Sequence, residues 1–122
     1  MSGAKKQDAV ADVLLFEIGG QRYGADASQV LRSDRPDGTA ISVTALGRVA
    51  EVARALVFKT PEGEGQLKVD RVFGIKQVQV SSLRRLPAAV ASEPYAIGVW
   101  LDGQRPVLLI DLLETQKTNG RL

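Results

Sequence analysis

The chain has no cysteine and no histidine among its 122 residues. Without cysteine it can form no disulfide, and no N-terminal apolar run precedes a small-residue cleavage site, so a reducing, cytoplasmic compartment is expected. Losing both residue types also removes the usual nucleophile–base pairs and transition-metal ligands. No glycine spacing of a phosphate-binding or dinucleotide-binding loop is present, and no serine sits in a nucleophile-elbow pattern. Aromatic residues are scarce: three Phe, two Tyr and one Trp. That is too few for the stacking ladder of a single-strand nucleic-acid binder. The longest apolar runs, VLLF and VLLI, fall far short of the roughly 18 residues of a spanning helix, so no membrane insertion is expected.

Charge of one sign is lacking too. Sixteen Lys and Arg face 14 Asp and Glu, for a net charge of +2. The dense basic spots are Lys5-Lys6 and Arg84-Arg85, and a solvated surface accounts for each better than a phosphate-binding patch does. The carboxylates embedded in apolar sequence are Asp70, Asp102 and Asp111. Asp102 stands in an Asp-Gly turn and Asp111 where a helix cap is needed, so structural roles outweigh catalysis or metal binding. No enzyme, metal or cofactor is expected.

What is present is a succession of short strands in a chain of one domain's length. Residues 1–12 are small, polar and charged, an arm without apolar periodicity that is expected to be disordered. Val13 to Ile18 (VLLFEI) predicts a strand buried on both sides, and Gly19-Gly20 predicts a tight turn into Gln21 to Ala25. Asp26 is placed to cap a short helical turn, Ala27 to Leu31, and SDRPDG (33–38) has loop chemistry. Thr39 to Thr44 reads as a strand. Leu46, Val49, Ala53 and Leu56 recur at helical spacing, predicting a helical turn to about Arg54, then a strand ALVFK and the turn PEGEG. A loop over 87–94 precedes a hairpin, Tyr95 to Leu101 and Pro106 to Ile110, closed at Asp102-Gly103, and a short helix follows Asp111.

The stretch LKVDRVFGIKQVQV (67–80) breaks strand parity twice, at Asp70-Arg71 and at Gly74. A one-residue slip moves an apolar set to the opposite face of a sheet. Strands change face where small barrels turn a corner through bulges or glycine bends, so an all-β fold built of small barrels is expected. Asp70 at such a corner would accept backbone N–H bonds or pair with an Arg.

Three blocks of the sequence resemble the CheW family, adaptors of bacterial chemosensory arrays. LLFEIGGQRYGADASQV resembles the family's opening strand, Gly turn, Tyr-containing strand and Asp-started helical turn. KVDRVFGI is similar to its Val-Asp-x-Val segment, and YAIGVWLDGQRPVLLIDLLE to its closing hairpin and helix. The blocks span residues 13–115, leaving 116–122 as a flexible tail. The resemblance implies two intertwined SH3-like β-barrels with short helices and a hydrophobic groove between the barrels. It implies partners too: the cytoplasmic tip of a methyl-accepting chemoreceptor in the groove, a CheA-type histidine kinase at the barrel ends, and other CheW-like proteins. By the resemblance, Val30, Leu31, Val72, Phe73 and Ile75 line the groove and Arg32 stands at its rim, whereas ordinary core is the competing account of all five apolar residues.

The chain departs from the family between Val30 and Leu56. LRSDRPDGTAISVTALGRVAEVARA has no counterpart of the family's Gly-x-x-x-x-Arg-Gly hairpin strand, so a reduced first barrel and a weakened or lost kinase contact are expected. Two other classes fit the composition, a small-barrel nucleic-acid-binding protein and an inhibitor or scaffold acting on a hydrolase. Salt dependence separates the first from an apolar groove, because phosphate contacts weaken steeply with salt.

Overall fold

The computed structural model describes residues 9–37, 40–41, 46–49, 54–86 and 93–120. Eight strands, one α-helix and two 3-10 turns make up the described elements. The apolar strand near the N-terminus becomes β1 (Val10–Ile18), starting three residues ahead of the expected Val13. Gly19 and Gly20, with φ of 59° and 83°, close the two-residue turn into β2 (Gln21–Asp26). Positive φ at both turn positions matches the twist of the flanking strands, and glycine adopts it without strain.

Asp26 caps a 3-10 turn, Ala27–Gln29, its carboxylate accepting from the Ser28 N–H at 2.9 Å and the Ser28 hydroxyl at 2.8 Å. The turn is shorter than the helical turn expected over Ala27 to Leu31. Val30 and Leu31 instead open β3 (Val30–Asp34), which pairs antiparallel with β4 (Arg54–Thr60). The backbone bonds of β4 hold this segment extended, a tertiary constraint that local propensity does not reveal. β4 continues through a tight turn to β5 (Gly63–Val69), completing a three-stranded sheet in the order β3-β4-β5. Ile41 adds a parallel bridge to Leu67. Of the expected strand over 39–44 only residues 40 and 41 are described, and of the expected helical turn before Arg54 only 46–49, of which 47–49 are not helical; the remainder of both, like most of the loop at 87–94, lies outside the described residues.

The second sheet has five strands, in the order β6-β1-β2-β8-β7, with β6 (Arg71–Gln79), β7 (Ala96–Asp102) and β8 (Arg105–Ile110). β1 lies inside it and is buried on both faces: Leu14, Phe16 and Ile18 enter a core shared with Leu56, Phe58, Leu67 and Val69 of the smaller sheet, and Val13 and Leu15 enter a second core with Val78, Val107 and Leu109. A strand covered on both sides carries a continuous apolar run, which is why VLLF shows no alternation. Helix α1 (Leu112–Gly120) follows Asp111, whose carboxylate accepts from the Glu114 N–H at 3.0 Å. The helix reaches beyond residue 115, where the expected tail begins.

Neither sheet closes into a barrel by an unbroken ladder among the described residues, but the larger one curls until its edges meet. The Arg84 N–H donates to the Val99 carbonyl at 2.7 Å and the Val99 N–H donates back at 3.2 Å. Lys76 on β6 reaches Asp102 on β7 at 3.0 Å. In place of two closed barrels there are thus a curled five-stranded sheet and a three-stranded sheet that share β1's core.

Tyr23 ties a neighbouring segment to this core, its hydroxyl donating to the Leu46 carbonyl. Burial pushes the Tyr23 phenol up to about 12, helped by the nearby Tyr95, itself raised by burial and by Glu93. A phenol held protonated in the fold and free to ionise in the unfolded chain leaves stability intact below pH 10 and erodes it as pH climbs toward about 12. Stability followed by circular dichroism should therefore begin to fall near pH 10 and go on falling toward about 12. Tyr23→Phe should lower stability at neutral pH by about 1 kcal/mol and flatten the alkaline loss. An unchanged alkaline profile would assign that loss to another group.

Candidate functional site

The break at Asp70 is the passage from one sheet to the other. β5 ends at Val69, β6 begins at Arg71, and one residue joins them. The Asp70 N–H donates to the Glu17 carbonyl at 2.9 Å, and its carboxylate accepts from the Gly19 N–H at 2.8 Å. Of the two partners expected for Asp70, the backbone donor is thus seen.

The second break is a bulge. β6 pairs Gly74 with Leu15 and Val72 with Phe16, so Phe73 is an extra residue, and Gly74 has a φ of +115°. The slip returns Ile75 to the face of Leu14, its cross-strand partner. That face is open to solvent here, and Ile75 is 66% exposed.

β3 lies beside it. Its pairing with β4 also slips between Val30 and Arg32, which makes Leu31 an extra residue, 47% exposed. The result is an open groove of about 200 Å³ lined by Leu14, Ala27, Val30, Leu31, Arg32, Ser33 and Ile75. Its walls come from both sheets, β1 and β6 on one side and β3 on the other. At the rim the Arg32 guanidinium takes both oxygens of Glu64, at 3.1 and 2.8 Å, and approaches Asp34 at 3.4 Å. Hydrogen bonding to Glu64 raises the Arg32 pKa further and holds the Glu64 carboxyl below its ordinary value. Both side chains are about half exposed, so the pair orients Arg32 more than it stabilises the fold.

Four of the six residues to which the sequence points meet in this groove: Val30, Leu31, Arg32 and Ile75. Val72 does not, because it pairs with Phe16 and packs against the main core. Phe73 does not either. The bulge turns it to the other side of the sheet, where the Arg22 guanidinium covers its ring at 4.2 Å and Arg22 and Lys76 converge on Asp102 at 3.7 and 3.0 Å. Val30 is half-buried and also packs against the core, so it belongs to both. The sequence does not single out Leu14, Ala27, Ser33 or Glu64. Leu14 is hidden in a run apolar on both faces, and Glu64 lies 32 positions from Arg32, with no local signal linking the two.

No group of three or more metal-ligating side chains occurs among the described residues. An apolar floor with one oriented guanidinium at its rim suits an apolar helix or strand with a polar flank.

No protein-family model matches the sequence. The chain is 51% identical over 110 residues to the Frizzy aggregation protein FrzB of Myxococcus xanthus, covering 90% of this chain and 98% of that one. Its structure superposes on the scaffolding protein TtCheW from Thermoanaerobacter tengcongensis with a TM-score of 0.74 over 88% of each chain, at 12% identity. The fold is therefore that of the scaffolding protein TtCheW.

The division between core and groove is open to mutation. Val72→Asp should cost about 3 kcal/mol or more and unfold the domain, whereas Leu31→Asp and Ile75→Glu should melt within about 1 kcal/mol of the parent. A Cβ added at Gly74 meets nothing within 4 Å, so Gly74→Ala tests the backbone alone. It should cost about 1–2 kcal/mol through its positive φ. Thermal melts of the four variants check the pattern, and a neutral Gly74→Ala would show that the bulge relaxes.

Proposed function

The chain belongs to the family of the Frizzy aggregation protein FrzB, and on that premise we propose that it is a non-enzymatic, cytoplasmic adaptor of a bacterial chemosensory complex. Its groove between the two sheets receives a helical segment at the cytoplasmic tip of a methyl-accepting chemoreceptor. The observation that carries this reading is the exposure of Leu31 and Ile75 side by side in a groove built by two bulges. Large apolar side chains are normally withdrawn from water, and here two slips of register instead bring them to the surface over a preformed floor. An apolar helix face placed on them would bury a strip of the kind that amphipathic helices offer at every third or fourth residue.

The contact with a CheA-type kinase is reduced in this reading. Support comes from the short interval between β3 and β4, where the arginine-glycine hairpin of longer CheW-like chains has no counterpart. Other CheW-like proteins remain partners through the rest of the surface. A nucleic-acid role draws no comparable support, since the groove is apolar and Arg32 at its rim is already occupied by Glu64.

Calorimetric titration with the cytoplasmic fragment of a chemoreceptor from the same cell tests the proposal. The parent should bind with little salt dependence, Leu31→Asp and Ile75→Glu should abolish binding while keeping the fold, and Phe73→Ala should bind as the parent does. Binding retained by both groove variants would overturn the assignment of the groove. The kinase's regulatory domain should bind this chain at least about tenfold more weakly than it binds a longer CheW-type adaptor, a difference of about 1.4 kcal/mol. Equal affinities would show the missing hairpin to be dispensable.

A further inference from the structure

The bulge that sends Ile75 into the groove sends Phe73 to the opposite face of the larger sheet. On that face Glu17 of β1 is the cross-strand partner of both Arg22 on β2 and Arg71 on β6, and Lys76 stands opposite Val13. Asp102 and Arg105 pair across the turn between β7 and β8, and Asp102 meets Arg22 and Lys76. Cross-strand partners share a face, so these side chains form one rim. It borders the second core, where Trp100 packs against Val13, Leu15 and Val107.

Four cations share this rim with two carboxylates, Glu17 and Asp102. Lys76 takes Asp102 at 3.0 Å, whereas Arg22 stands 3.7 Å from it, too far for a hydrogen bond. Arg22 Nε is buried with no partner among the described residues, an unmade bond that is costly in a charged donor. Arg71 and Arg105 are both exposed, and neither is ion-paired among the described residues. Asp70, next to Arg71 in the chain, is held at the Gly19 N–H. Two rings lie beneath the cations: Phe73, 41% exposed, under Arg22 at 4.2 Å, and Trp100 under Lys76 at 5.6 Å.

Arginine and aromatic side chains are enriched at the buried centres of protein interfaces. A surface for a phosphate backbone instead presents cations free of carboxylates, and here Asp102 already holds Lys76. We infer that this rim is a second protein-binding surface, and that its occupant is an acidic segment in which Asp or Glu is flanked by apolar residues. The carboxylate goes to Arg22 and Arg71, and the apolar neighbours cover Phe73 and Trp100. No side chain of the rim lines the groove, so the two surfaces can be filled at once. A single bulge supplies an apolar side chain to each.

Trp100 is the chain's only tryptophan, so its fluorescence reports on this rim. The probe is a blocked hexapeptide, Gly-Leu-Glu-Glu-Leu-Gly, titrated at low salt beside its glutamine counterpart and a hexathymidine strand. The acidic peptide should give a saturable change in Trp100 emission. Glutamine in place of glutamate, Arg71→Glu and Phe73→Ala should each weaken it by about tenfold or more, while Ile75→Glu should respond as the parent does. Arg71 and Phe73 are exposed, and circular dichroism verifies that their variants fold; should Phe73→Ala not fold, the peptide pair and Arg71→Glu still decide. No saturable response, equal binding of the glutamine peptide, or undiminished binding by Arg71→Glu would overturn the inference. Tighter binding of the oligonucleotide would overturn it too, and would make the rim a nucleic-acid surface. None of these outcomes bears on the groove, which the receptor titration tests separately.

Discussion

Everything in this structure turns on one residue of chain between two sheets. Asp70 alone separates β5 from β6, and both its polar groups are tied to the end of β1 and its turn, the N–H to Glu17 and the carboxylate to Gly19. A connection this short leaves the sheets no freedom to drift apart. It presses Leu67 and Val69 of the smaller sheet against Phe16 and Ile18 of the larger, within one core. Backbone donors that would otherwise be orphaned at a sharp corner are satisfied there, one of them by a carboxylate, a stronger acceptor than a neutral one.

With the corner fixed, the bulges decide what reaches the surface. Were β6 a regular strand from Arg71 onward, its alternation would carry straight through Phe73, and Ile75 would not stand opposite Leu14. The slip at Phe73 and the positive φ of Gly74 undo that parity. A similar slip in β3 frees Leu31. Two local irregularities, each needing one additional residue, thereby turn part of a sheet-on-sheet seam into an open groove.

Much of this is legible in the sequence. The parity breaks at Asp70 and Gly74 point to a corner and a bend, the Gly-Gly pair to a hairpin, and Asp26 and Asp111 to caps, because each signal is local and has a backbone mechanism. The groove is legible in part. Resemblance brings Val30, Leu31, Arg32 and Ile75 together, yet it takes Phe73 and Val72 with them, since a sequence shows that parity slips without showing which neighbour absorbs the extra residue. Glu64 as the partner of Arg32 is beyond its reach, being a product of the pairing of three strands. Val30 and Leu31 read locally as the end of a turn because the strand that holds them extended, with Val30 opposite Phe58 and Arg32 opposite Val57, lies more than twenty positions away.

The curl of the larger sheet has a consequence for how copies of this protein behave at high local concentration. The outer strands of an open sheet are templates on which another chain can add, and growth from such edges ends in insoluble fibres. Here the Arg84 bridge occupies the free side of β7 at Val99, and Lys76 is drawn across the remaining gap to Asp102. The outer side of β6 is distorted at Phe73-Gly74, so a flat run of donors and acceptors is not presented. The larger sheet therefore offers another copy no flat edge on which to add a strand.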